Sequence, residues 1–349
     1  MEEQLQAFLS RQWPDADEIA VEGFAVIAGG YSCETYRFDA HVERAGARTT
    51  YPLILRKDPP AASDILPTSR AREHDLLCLV RRHTSIPVSE SYFVETDRAT
   101  FGEAAMIVER MRGSGEVSAL FHGGRNAGQA ETIATQLCEL VAQLHLTDPK
   151  FLNPAGALDD PRGEGIDASS WDSYMDTTFE YYVNGYARGE YEPVPALLDA
   201  YLTLRRKRPA PLRLSVVHGD FNPANFLYED GQVTAIIDWE NCHIGDPRED
   251  LGWLKQMDEL SNTEIFGAVK TDGGFLGHYN RLTGFNVTPE EVDYFKLFAT
   301  ANIAIPVAAS LRRRADGEHS ELLHVYIFQP SVAAFLGFGM MLGYPIGGE

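Results

Sequence analysis

The chain has 349 residues, of which 44% are hydrophobic and 23% charged, and its formal net charge is −21. That length buries ample core and suits two lobes of ordinary domain size, while the acidity excludes nucleic acid as a partner because a phosphate backbone would be repelled. The four cysteines, Cys33, Cys78, Cys138 and Cys242, form no C-x-x-C pair, which excludes a disulfide framework and a zinc site and suits a reducing cytoplasm.

Met1-Glu2-Glu3 opens an acidic segment rather than the basic and apolar start of a secretory signal. Val21 to Ala28 alternates as a strand, Ala28-Gly29-Gly30-Tyr31-Ser32 is a glycine turn, and Glu34 to Ala40 is the return strand. Adjacent glycines let backbone N–H groups approach phosphate oxygens and the Ser32 hydroxyl adds a donor. Gly29, Gly30 and Ser32 are therefore candidate nucleotide contacts, although the same turn serves a plain hairpin. After the polar turn Glu43 to Arg48, a third strand runs from Pro52 to Arg56. Lys57 is adjacent to Arg56 but points to the opposite face.

Ser69 to His83 reads as a helix with Leu76, Leu77 and Val80 on its apolar stripe and Arg81-Arg82-His83 at the end the dipole favours for cations. Glu73 lies one turn before Leu77 on the same face, flanked by Arg70 and Arg72. Strands follow near Ser91 to Glu95 and at Ala104 to Glu109. Gly113-Ser114-Gly115 is a flexible joint, so the boundary falls near Arg112, with one lobe over residues 1–112, a second over 113–349, and a hinge about 109–115.

Beyond the joint the pattern turns helical. Asn126 to Leu146 carries Ile133, Leu137, Leu140, Val141 and Leu144 at helical spacing, and Trp171 to Tyr186 and Val194 to Arg206 follow. Later come Phe275 to Leu282, Pro289 to Arg314 and His319 to Leu342. Thr288-Pro289-Glu290-Glu291 is a helix start, with a capping Thr, Pro in the first turn and acids at the positive end of the dipole. The basic clusters Arg205-Arg206-Lys207-Arg208 and Arg312-Arg313-Arg314 both fall at expected helix ends. Val325 to Gly348 has no charged residue, yet Pro330, Gly337, Gly339, Gly343 and Pro345 break it, so it reads as a buried terminal helix with a glycine-rich tail and no membrane is expected.

The chemistry concentrates in Val216-Val217-His218-Gly219-Asp220-Phe221-Asn222-Pro223-Ala224-Asn225-Phe226-Leu227 and, after a hairpin at Glu229-Asp230-Gly231, in Ala235-Ile236-Ile237-Asp238-Trp239-Glu240. Moving a γ-phosphoryl group to a hydroxyl needs one carboxylate to orient the hydroxyl and receive its proton, plus oxygen ligands for magnesium. Asp220 suits the first task, and Asn225 and Asp238 suit the second. An Asp after a strand is often only a turn-former, but the joint spacing of Asp220, Asn225 and Asp238 matches a kinase catalytic loop and its metal-binding Asp. His218 reads as a packed structural residue. Strands first, helices later and one strand-rich insert make an α+β plan.

On these residues, and on Gly245-Asp246-Pro247-Arg248-Glu249-Asp250-Leu251, the chain resembles the aminoglycoside phosphotransferase and choline kinase-like family of small-molecule kinases over nearly its whole length. The resemblance implies a protein-kinase-like two-lobed fold, with an N-terminal antiparallel sheet plus one helix and a larger, mainly helical C-terminal lobe holding a catalytic β-hairpin. It further implies ATP, with GTP as the alternative, together with Mg2+ and a small-molecule hydroxyl acceptor. Arg56 takes the place of the phosphate-holding Lys and pairs with Glu73, adenine docks on the backbone of Glu109 to Met111, and Asp250 braces the catalytic loop.

The acceptor is not legible from sequence: aminoglycosides, macrolides, choline, homoserine, sugars and hydroxyacyl-coenzyme A thioesters are all acted on by similar kinases. A catabolic hydroxyacyl-CoA kinase is thus one alternative. Others are a nucleotide-binding protein without turnover and a metal-dependent phosphohydrolase using His218, Asp220, Asp238 and His243. The oligomeric state stays open.

Overall fold

The computed structural model describes residues 1–27, 33–58, 68–191, 194–316, 338 and 341–343. The turn with Gly29, Gly30 and Ser32, and most of the segment from His319 to Gly348, lie outside the described residues. The chain divides into two compact units, Met1–Arg112 and Gly113–Glu349.

The first unit contains α1 (Glu2–Gln12), β1 (Glu18–Val26), β2 (Glu34–Arg44), β3 (Ala47–Lys57), α2 (Arg70–His83), β4 (Ser91–Glu95), α3 (Arg98–Phe101) and β5 (Ala105–Glu109). Its five strands form one antiparallel sheet in the order β1-β2-β3-β5-β4. Alternation puts Phe38, Ala40 and Val42 of β2 with Leu53 and Leu55 of β3 in one buried cluster, which α1 completes with Leu5, Phe8 and Leu9. Truncating one of these leucines to alanine would cost about 2–5 kcal/mol. Helix α1 was not among the elements expected from sequence, although the spacing of Leu5, Phe8 and Leu9 is that of a helical stripe. β2 and β3 also extend beyond the expected Glu34 to Ala40 and Pro52 to Arg56. The strands run on to a two-residue turn, Ala45-Gly46, whose φ values of 49° and 79° match the twist of a tight hairpin. Helix α2 starts on Ser69, whose hydroxyl accepts from the Arg72 N–H at 3.3 Å.

The second unit contains α4 (Ala130–Leu146), α5 (Pro149–Leu152), α6 (Trp171–Ala187), α7 (Pro195–Arg206), β6 (Ser215–Val217), β7 (Phe226–Glu229), β8 (Gln232–Ile236), β9 (His243–Gly245), α8 (Arg248–Leu260), α9 (Ile265–Ala268), α10 (Gly274–Thr283) and α11 (Pro289–Ala315). β7 and β8 form a hairpin, and β6 pairs antiparallel with β9. Apolar stripes of α6, α7 and α11 meet through Met175, Phe179, Ala200, Tyr201, Phe298 and Ala301. Among the described residues, no helix is long and apolar enough to cross a membrane.

Candidate active site

The three residues of β6 are fully buried, so the strand ends rigidly at His218. The His218 ring donates from Nε2 to Ile237 O at 3.0 Å, and its Nδ1 accepts from the Asp220 N–H at 3.3 Å. Both nitrogens are engaged within the protein, and burial pushes the imidazole pKa down, so the ring is neutral. His218 therefore ties the end of β8 to the loop after β6 and has no nitrogen left for a metal.

Gly219 has φ +76°, and a Cβ there would lie 2.3 Å from Asn241 O. Both the left-handed backbone and the close approach require glycine. Its N–H donates to Asp250 Oδ1 at 3.0 Å while the His218 N–H donates to Asp250 Oδ2 at 2.8 Å. The same Oδ2 lies 3.0 Å from His145 Nε2, and both side chains are fully buried. Asp250, in the first turn of α8, thus braces the loop after β6 through its backbone. Burial pushes its carboxyl pKa up, but the His145 hydrogen bond and the donors from the loop outweigh this and hold it below its usual value.

Asp220 follows with its carboxylate gripped on both sides. Oδ1 accepts from Asn222 Nδ2 and from Trp253 Nε1, each at 2.7 Å, and Oδ2 accepts from Asn225 Nδ2 at 2.8 Å. Asn222 also accepts the Ala224 N–H at 2.7 Å, a turn that curls the loop back toward β7. Burial, reinforced by the Asp238 charge, pushes the Asp220 carboxyl up to about 7 against the hydrogen bonds that lower it.

The β7–β8 register brings the remaining groups in. Phe226 faces Ile236, and one step further the Ile237 N–H donates to Asn225 O at 3.0 Å. Asp238 comes next, at φ 67° and ψ 59°, a left-handed conformation that Asp tolerates better than most residues and that is concentrated at functional sites. Asn225 turns its amide nitrogen to Asp220, which leaves Oδ1 as its remaining acceptor. That oxygen and the Asp238 carboxylate are hard donors of the kind magnesium takes. Among the described residues, no group of three or more His, Cys, Asp and Glu is arranged to hold a metal ion by itself.

In the first unit, Arg56 Nη1 contacts Glu73 Oε1, with their side chains 14% and 1% exposed. Glu73 Oε2 meanwhile accepts from Arg70 Nη1 at 2.6 Å, and Arg70 reaches Asp58 at 2.7 Å. The carboxylate is therefore shared between two guanidinium groups. Lys57 pairs instead with Glu34, its partner across the strands, at 2.7 Å. The Glu109 side chain accepts from the Glu90 N–H at 3.3 Å, and Met111 lies two residues beyond, partly buried.

Trp253 and Asn222, which touch Asp220 directly, were not identified from sequence, nor was His145. Trp253 carried a usable signal: it lies three residues after Asp250 in a helix and so shares its face.

The family model described as the phosphotransferase enzyme family matches residues 23–285. Among curated proteins, the chain is 24% identical to acyl-CoA dehydrogenase family member 10 of Mus musculus over 58% of this chain and 18% of that protein. It is 24% identical to acyl-CoA dehydrogenase family member 11 of Homo sapiens over 79% and 36%. The chain thus spans about a third or less of the length of these relatives. Among solved structures, a Ralstonia eutropha protein assigned to the aminoglycoside phosphotransferases matches with TM-score 0.67 and 19% identity, covering 99% of each chain. Macrolide 2′-phosphotransferase of Brachybacterium faecium matches with TM-score 0.58 and 18% identity over 95% of this chain and 97% of that one. A thermostable aminoglycoside phosphotransferase APH(4)-Ia, solved with ADP and hygromycin B, matches at 0.60 and 15% over 99% and 100%. At these identities the structural likeness shows the fold.

Proposed function

The chain belongs to the phosphotransferase enzyme family, and on that ground we propose that it transfers the γ-phosphoryl group of ATP, or of GTP, to a hydroxyl of a small molecule. The observation that carries the reading is the Asp220 carboxylate, held by Asn222, Asn225 and Trp253. A carboxyl pushed up to about 7 has the basicity to orient an acceptor hydroxyl and take its proton near neutral pH. Asn225 Oδ1 and Asp238 would hold magnesium, which when bound neutralises charge on the phosphates. Arg56, braced by Glu73, grips phosphate oxygens, and Gly29, Gly30 and Ser32 offer donors to them. The backbone at Glu109 and Met111 takes the base. Residues 1–112 form the nucleotide-binding lobe and 113–349 the catalytic one. Free thiols at Cys33, Cys78, Cys138 and Cys242 suit a cytoplasmic enzyme.

One observation favours a second acceptor class. The curated relatives carry acyl-CoA dehydrogenase names, which makes a hydroxyacyl-coenzyme A thioester the alternative to an aminoglycoside or macrolide. A coupled ADP-release assay with magnesium-ATP across aminoglycosides, macrolides, amino alcohols, sugars and hydroxyacyl-coenzyme A esters tests the reading. Acceptor-dependent turnover is expected with one class. ATP binding without turnover on any of them would favour a non-catalytic nucleotide-binding protein.

A further inference from the structure

Arg162 is a lightly engaged cation on the segment that hydrogen-bonds to β9. Its side chain is 24% exposed, yet its sole ion pair among the described residues is a loose one, Nε to Glu164 Oε2 at 3.5 Å, and its guanidinium donates no hydrogen bond there. A guanidinium carries five N–H donors, and with one loose ion pair those of this partly buried side chain are available to a ligand. Arg248, by contrast, is 2% exposed and gives its donors to Asp246, Glu291 and Ala210 O.

The segment that presents Arg162 is built rather than loose. Asp160 accepts the N–H groups of Glu164 and Gly165 at 2.9 and 2.8 Å. Four residues before Arg162, Leu158 O accepts the Ile244 N–H of β9 at 2.8 Å. β9 begins at His243, whose Nδ1 lies 2.9 Å from Asn241 O, the same carbonyl that packs on Gly219. Arg162 therefore stands on the catalytic loop's own support, within electrostatic range of His243 and of Tyr174, Tyr181 and Tyr182. The other charges facing His243 are already committed. Glu249 Oε1 accepts from Tyr174 OH and the Asp246 N–H, each at 2.8 Å, and its Oε2 lies 3.4 Å from His243 Nε2.

We propose that Arg162 is the anchor of an oxyanion subsite, so that the acceptor carries a carboxylate or a phosphate ester in addition to the hydroxyl that is phosphorylated. The guanidinium fork matches such a group bidentately. Glu164, as the near anion, sets how strongly the subsite attracts it and rejects acceptors that bring no negative charge to compete. The place of this subsite in the reaction rests on the phosphotransferase reading, whereas its affinity for an oxyanion does not.

Binding is accordingly measured apart from turnover, by ligand-observed NMR titration of the full chain with 3-hydroxybutyrate, its neutral amide and glycerol 3-phosphate. Wild type should bind at least one anion and not the amide, and the tighter anion identifies the group. Arg162→Met should weaken that anion by about tenfold or more, as expected for losing hydrogen bonds to a charged group. Glu164→Gln leaves the cation in place and should tighten it. Equal binding of the amide, no anion binding to wild type, or weaker binding in Glu164→Gln would overturn the proposal. Absence of ADP release with any acceptor, with these binding results intact, would instead strike the phosphotransferase reading.

Discussion

The indole N–H of Trp253 donates to Asp220 Oδ1 at 2.7 Å, across 33 residues of chain. Because Asn222 holds the same oxygen, Oδ1 accepts two hydrogen bonds while Oδ2 has Asn225 as its one side-chain partner among the described residues, so under the proposed function Oδ2 would be the oxygen to meet the acceptor hydroxyl.

Replacing Trp253 with Phe keeps the ring and removes the donor. That donor lowers the Asp220 pKa, so its loss raises it further. Activity that needs the carboxylate ionised should then appear at higher pH, with the acidic limb of the kcat/KM profile displaced upward by roughly half a pH unit or more. The plateau rate should fall about tenfold. An unmoved limb would remove Trp253 from the account.

Asp250→Asn should damage fold and rate together. The carboxylate accepts from the His218 and Gly219 N–H groups and pairs with His145, and an amide brings a donor where acceptors are needed. A loss of about 3–5 kcal/mol is expected for breaking one partner of a buried charged network, readable by urea denaturation. The pH dependence follows from the lowered folded pKa. The stabilisation from Asp250 is complete above its ordinary value of 3.8 and is lost as pH falls below that value through the folded one. The variant should therefore lose less stability than wild type on acidification through that range.

Gly219→Ala places a Cβ against Asn241 O at a left-handed φ. About 2 kcal/mol or more of stability should go, and turnover should drop with it because the next residue is Asp220. A variant with unchanged Tm and unchanged rate would show that the loop relaxes freely.

The Arg56 and Glu73 contact was legible through the family resemblance, with two local rules beside it: alternation along β3 separates Arg56 from Lys57, and helical spacing in α2 places Glu73 by Leu77. What those rules could not reveal is that Arg70 holds the other oxygen of Glu73. Asp220, Asn225 and Asp238 stood out through spacing within a short stretch. His145 did not, since its contact with Asp250 spans 105 residues and no local pattern encodes a pairing between α4 and α8. Helix α1 is hard to read for a different reason: its buried stripe is only Leu5, Phe8 and Leu9, in a short segment that opens on two acids.

Glu73→Gln should raise the KM for ATP more than it lowers kcat. A neutral amide in place of the shared carboxylate leaves Arg56 without its brace, and a misplaced phosphate clamp should cost roughly tenfold in KM.

The central claim is that Asp220 acts on a hydroxyl during phosphoryl transfer. The most direct measurement is 31P NMR detection of the phosphate ester formed from magnesium-ATP and the active acceptor, comparing wild type with Asp220→Asn. Ester formation should slow by about 100- to 10,000-fold, the usual range for losing a catalytic base, with nucleotide binding retained. Ester formed by the variant at a rate close to wild type, or phosphate released from substrates without ATP, would contradict that claim.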